Sequence, residues 1–182
     1  MAGQVLDTYI IVEQGDRILL IDKHAAHERM WFDRLKAEDY DPMAQQLLSP
    51  VIVTPPAEEY AALLRSLPLL RRFGFEAEDF GGALIVRQAP FDLAAGEIED
   101  TLCQLAGKLL SGRLADPSAA RDELLHTMAC KAAIKGGQKN GPQELFVVAR
   151  AVMEEGVKYC PHGRPVAIEL TRGQLEKQFK RT

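Results

Sequence analysis

Apolar and polar positions change rhythm along this chain, and the changes mark its elements. Residues 5–12 (VLDTYIIV) and 17–21 (RILLI) are dense in aliphatic and β-branched side chains and read as two strands. Glu13-Gln14-Gly15-Asp16 between them reads as a hairpin turn. From Ala25 to Lys36 the period lengthens to that of a helix, with Met30, Trp31 and Leu35 as packing residues and Asp39-Tyr40-Asp41-Pro42 as its end. Residues 51–54 (VIVT) form a short strand stopped by Pro55-Pro56. An amphipathic helix is expected over 57–72, with Tyr60, Leu63, Leu64 and Leu67 apolar.

Residues 73–80 and 83–88 flank Gly81-Gly82, a hairpin signal. A helix over 96–111 carries Ile98, Leu102, Leu105 and Leu109 on one face. Asp116-Pro117-Ser118 suits the start of the next helix, which carries Leu124, Met128 and Cys130 and breaks at Gly136-Gly137. A helix over 142–155 ends at Gly156, and 165–170 (PVAIEL) is a strand. Thr171 starts a last helix, with Gln174 placed for a capping box. This order predicts an α+β chain with a mixed sheet and two lobes. Residues 1–50 and 128–182 are expected to form one lobe, with a smaller α/β lobe, 51–127, inserted between them.

Composition narrows the chemistry. The 182 residues are 47% hydrophobic, enough for a packed core. The apolar runs Tyr9–Val12 and Ile18–Ile21 are too short to cross a bilayer, so no membrane partner is expected. Met1 is followed by neither a basic stretch nor an apolar run, so no secretory signal is expected. Three widely spaced cysteines, Cys103, Cys130 and Cys160, suit a reducing cytoplasm better than a disulfide framework. The net charge is −4, split as −4 over 1–50, −5 over 51–127 and +5 over 128–182. Phosphate neutralisation dominates nucleic-acid affinity. So modest a basic end predicts that a DNA-acting chain of this kind needs help to hold its substrate. No Gly-rich phosphate loop is present.

Two stretches carry metal-ligating chemistry. In Asp22-Lys23-His24-Ala25-Ala26-His27-Glu28, residues 22 and 24 share a side if extended. His24 and Glu28 share a face if helical. A strand-to-helix junction would then aim two carboxylates and an imidazole at one point, a set suited to zinc or manganese. The bland alternative is a solvated polar turn. In Tyr159-Cys160-Pro161-His162-Gly163-Arg164-Pro165, two prolines stiffen a thiolate–imidazole pair beside Arg164, whose planar fork suits phosphate or carboxylate. Cys130, alone on its helix, reads from the residues as a small core residue, and Cys103 reads as core. His126 reads as structural or exposed.

Together these pieces resemble the C-terminal domain of endonuclease-bearing MutL DNA mismatch repair proteins. The family's Asp-Gln-His-Ala-x-x-Glu motif and later Glu stand here as DKHAAHE with Asp33. Its small-Cys-basic motif stands as Ala129-Cys130-Lys131, Cys-Pro-His-Gly-Arg-Pro is complete at 160–165, and Phe-x-Arg stands at 179–181. Lys23 replaces the usual Gln, adding a charge beside the site, and Asp33 is a methylene shorter than the usual Glu.

The resemblance implies a homodimerising, manganese-dependent DNA-nicking domain with bound zinc. Its implied metal ligands are Asp22, His24, Glu28, Cys130, Cys160 and His162, of which Asp22, His24 and Glu28 are catalytic. Asp33 and Arg164 would support those ligands, and Lys131, Lys135 and Arg164 would meet DNA phosphates. Gln45, Leu48 and Pro50 resemble a sliding-clamp-binding motif, against a plain loop as the alternative. A mismatch-recognition protein would be met through the full-length protein, in the bacterial cytoplasm at the nucleoid. The main rival is a non-catalytic dimerisation module with a structural zinc. A zinc deaminase would need His-x-Glu and Pro-Cys-x-x-Cys, which are absent. A Cys130–Cys160 redox pair is a third reading.

Overall fold

The computed structural model describes residues 3–37, 42–110 and 117–181, with the side chains of 117–120 excepted. The described residues contain seven α-helices and two antiparallel sheets, an α+β arrangement. The chain divides into two compact units, residues 1–33 with 133–182, and residues 34–132. Residues 34–50 and 128–132 therefore go with the inserted unit, which is the longer of the two.

The first unit is built on a sheet of four strands, β1 (Gly3–Val5), β2 (Tyr9–Gln14), β3 (Arg17–Asp22) and β7 (Ala167–Thr171), in the order β1-β2-β3-β7. Every pairing in it is antiparallel, where a mixed sheet was expected, because β7 returns beside β3 running the opposite way. Pairing of Ile10 with Ile21 and of Val12 with Leu19 puts these side chains on one face, since strand residues alternate sides. That face packs on Leu145, Val148 and Ala149 of α6 (Pro142–Glu154) and on Ala26 of α1 (Lys23–Lys36), with Cys160 and Val166 in the same core.

The opposite face is also apolar. Tyr9, Ile11, Ile18, Leu20, Ile168 and Leu170 share it by register, and Val5 pairs with Tyr9 there. Tyr9, Val5 and Ile168 are exposed. A hollow of about 500 Å³ opens on this face, lined by Leu6, Tyr9, Leu20 and Ile168 among others. The capping box expected on the last helix, α7 (Arg172–Gln178), is present between Thr171 and Gln174.

The second unit contains β4 (Ala44–Val53), β5 (Glu76–Asp79) and β6 (Leu84–Pro90) in the antiparallel order β4-β6-β5. With them stand α2 (Ala57–Arg65), α3 (Leu67–Arg72), α4 (Ile98–Leu110) and α5 (Pro117–Ala132). Leu63, Leu70, Phe75, Leu84, Val86, Leu102, Leu105 and Leu124 are buried in it. Two expectations are corrected here. The helix expected over 57–72 is two helices broken at Ser66, because Pro68 lacks the N–H that a continuous helix would need. The strand expected at 51–54 begins at Ala44, so the segment 45–50 is strand rather than loop. Its register shifts between Gln46 and Val51, and it lies at a sheet edge, the two settings in which Pro50 is tolerated inside a strand. The expected helix end at 39–41, and Asp116 at the start of α5, lie outside the described residues.

Candidate metal centre

Two local structures in the first unit build the centre. The first is the junction of β3 and α1. Asp22 ends β3, and its Oδ1 accepts the backbone N–H of Ala25 at 3.0 Å, which makes it the cap of α1. From there Glu28 is carried one turn into the helix and is 5% exposed. The second is the hairpin of residues 158–166. Val166 N–H donates to the Lys158 carbonyl at 3.0 Å, Cys160 N–H to Arg164 at 2.8 Å, and Gly163 N–H to Cys160 at 2.9 Å. Pro161 suits the turn's second position because its φ is preset. Gly163 follows with φ +81°, a left-handed backbone that glycine adopts without steric cost. The Asp22 N–H donates to the Val166 carbonyl at 2.8 Å and ties the hairpin to β3.

The result is convergence of three side chains. Glu28, Cys160 and His162 each offer a ligand atom, and these atoms lie within 4.8 Å of one another. Glu28 Oε1 is 3.7 Å from His162 Nδ1. Glu28 and Cys160 are buried, while His162 is exposed. A carboxylate, a thiolate and an imidazole fit a borderline divalent cation such as zinc. A carboxylate this deeply buried also needs a cationic partner to offset its desolvation. Among the described residues, no other such group of three is formed.

The other expected ligands have the following local surroundings. Asp22 lines the hollow on the outer sheet face and holds the helix cap. His24 donates from Nδ1 to the Ile134 carbonyl at 2.8 Å, since a carbonyl can only accept. That fixes the tautomer with Nε2 as the open lone pair, the state in which a histidine can ligate metal. Cys130 belongs to the second unit, exposed on α5. Asp33 accepts two bonds from Arg29 Nε at 2.8 and 2.9 Å on the exposed side of α1.

Lys131 is bound by Asp100 of α4, which raises the lysine's pKa and lowers that of the carboxylate. Lys135 is half-buried, and the Arg164 side chain is exposed on the hairpin. Gln45 turns inward, donating to the carbonyls of Pro90, Phe91 and Leu93 at 3.4, 3.4 and 3.2 Å, whereas the Leu48 side chain stands fully exposed.

Two residues take structural roles that the sequence pattern hid. His27 Nδ1 accepts the Ile134 N–H at 3.0 Å, so His24 and His27 together hold both backbone polar groups of one residue. Burial lowers the His27 pKa, with Glu144 acting against that shift and His24 adding to it, which suits a neutral ring whose Nδ1 accepts a hydrogen bond. Lys23 does not add a charge to an open site. It is wholly buried and donates to the Gln138 carbonyl and to Asn140 Oδ1. Burial lowers its pKa, opposed by the carboxylates of Asp7 and Glu144.

The family model described as the MutL C terminal dimerisation domain matches residues 2–140. The chain is 40% identical over 191 aligned residues to a DNA mismatch repair protein MutL of Acidiphilium cryptum, with 98% of this chain and 32% of that protein covered. It is 35% identical over 182 residues to one of Syntrophobacter fumaroxidans, covering 99% of this chain and 27% of that protein. It is 36% identical over 186 residues to one of Heliobacterium modesticaldum, covering 99% and 28%. The chain thus spans between about a quarter and a third of the length of these curated relatives. On this evidence the chain belongs to the MutL C-terminal dimerisation domain family.

Proposed function

We propose that the chain dimerises and nicks DNA through a divalent cation held by Glu28, Cys160 and His162, with His24 as a further ligand. The observation that carries this reading is the convergence of those three ligand atoms within 4.8 Å, from segments near opposite ends of the chain. A bound zinc or manganese ion would polarise the scissile phosphate and activate a water. The chain's own part is positional. The buried Glu28 and Cys160 fix one side of the site, His162 faces solvent where a phosphate can approach, and Arg164 on the same hairpin offers a bidentate contact to phosphate oxygens.

Dimerisation is assigned to the outer face of the β1-β2-β3-β7 sheet. Tyr9, Ile11, Leu20 and Ile168 form an apolar surface of the kind that a second copy covers. The inserted unit is proposed as a regulatory lobe that meets a sliding clamp through Leu48 and Pro50. Gln45 would have to leave its three carbonyl partners to take part. Recruitment of that kind would offset the weak grip expected of an acidic chain. Mismatch recognition would reach this domain through the remainder of the longer protein. No helix among the described residues is long and apolar enough to cross a membrane.

The test is nicking of supercoiled plasmid with manganese at low salt. The wild type is expected to convert plasmid to the open circle and Glu28→Gln to fail. If the wild type holds zinc and dimerises but never nicks, the non-catalytic structural-zinc module replaces this reading.

A further inference from the structure

The hairpin that carries Cys160 and His162 presents a second chemistry on its outer side. Lys158 and Tyr159 are exposed there, and no acidic residue occurs from Gly156 to Ile168. Tyr159 is 56% exposed and held by its bridge to Pro165. It walls a polar hollow of about 220 Å³ together with Lys158, Arg29, Asp33 and Glu155. Tyr159 directly precedes Cys160, and Arg29 directly follows Glu28. The walls of the hollow therefore begin one peptide unit from two members of the metal cluster.

The lining favours a base over a phosphate. Asp33 and Glu155 place two carboxylates in the hollow, which repel a phosphate but accept hydrogen bonds from an exocyclic amino group. Arg29 is already held by Asp33, and Glu155 lies 3.6 Å from Arg150. Lys158 forms no ion pair among the described residues. An aromatic wall, carboxylate acceptors and one unpaired cation at the rim are the parts of a site for an unstacked nucleotide.

We propose that this hollow receives one unstacked, amino-bearing DNA base against the Tyr159 ring. Lys158 holds the adjoining phosphate, and a neighbouring phosphate of the same strand is presented to Glu28, Cys160 and His162. This rests on the nuclease reading for its purpose, and its test is separate. The probe is a fluorescent duplex with one extrahelical cytosine, compared with the fully paired duplex by anisotropy in EDTA, where no strand is cut. The wild type is expected to favour the bulged duplex by at least about fivefold, the low end of one base–aromatic stack.

Tyr159→Phe is expected to keep that ratio and Tyr159→Ala to lose it. Lys158→Ala is expected to weaken both duplexes alike. Equal binding of the two duplexes by the wild type, or an unchanged ratio in Tyr159→Ala, overturns the proposal. Discrimination between the duplexes without plasmid nicking would sink the nuclease reading and leave the base site standing.

Discussion

Glu28 Oε1 and His162 Nδ1 lie 3.7 Å apart, yet the Glu28 side chain is 7% exposed and that of His162 56%. One partner is fixed in the packed interior and the other faces water. The two should respond differently to truncation. Glu28→Ala removes a buried carboxylate and its packing, whereas His162→Ala removes a surface ring. His162→Ala is expected to change unfolding free energy by less than about 0.5 kcal/mol, as is usual at exposed positions. It should still weaken zinc binding by tenfold or more, roughly the effect of losing even an indirect partner of a metal ligand. Denaturant melts and competitive zinc titration of the same sample separate these effects. Unchanged zinc affinity in His162→Ala would remove His162 from the centre.

Asp22 was expected as a ligand, and its carboxylate caps α1 through the Ala25 N–H. Loss of such a cap costs about 0.5–2 kcal/mol. Asp22→Asn, which retains capping ability, should be close to the wild type in urea melts, and Asp22→Ala should fall in that range. If Asp22→Asn loses zinc as completely as Cys160→Ala, ligation outweighs capping at this position.

His27 supplies the pH dependence. Its ring is half-buried and accepts the Ile134 N–H, and that partial burial sets its folded pKa below the ordinary 6.5. A depressed folded pKa means that the unfolded chain binds the proton more readily. The stabilisation is complete above pH 6.5 and is lost as pH falls from there through the folded pKa. Thermal melts of the metal-free chain should show this acid-side loss, and His27→Gln should flatten it. An identical pH slope in His27→Gln would assign the loss to other groups.

The outer sheet face carries the association prediction. Ile168 is exposed at 58% and pairs in register with Leu20. Ile168→Asp should shift the sedimentation mass from dimer to monomer while leaving far-UV circular dichroism unchanged. A dimer that survives both Ile168→Asp and Tyr9→Asp would place the interface on another surface.

Legibility in the sequence followed the range of the interaction. Elements set by local periodicity and punctuation, such as the β2–β3 hairpin at Gly15 and the Thr171–Gln174 box, were readable because their causes lie within a few residues. The 57–72 helix was misread because apolar spacing continued across Ser66 while Pro68 withheld a backbone donor. Glu28, Cys160 and His162 were legible as residue types in compact motifs. The partners of Lys23, His24 and His27 were not, since Gln138, Asn140 and Ile134 lie more than a hundred positions away. Lys23 looked like a charge beside the site and proved to be a buried tie to the 138–140 segment. The pairing of Lys131 with Asp100 on the neighbouring helix was likewise out of reach, since the two lie 31 positions apart.

The most direct measurement is metal content by elemental analysis after exhaustive dialysis of the wild type, Glu28→Gln and Cys160→Ala, each checked for fold by circular dichroism. A shared centre predicts a stoichiometric divalent ion in the wild type and a clear loss in both variants. Equal metal in all three folded proteins would contradict it.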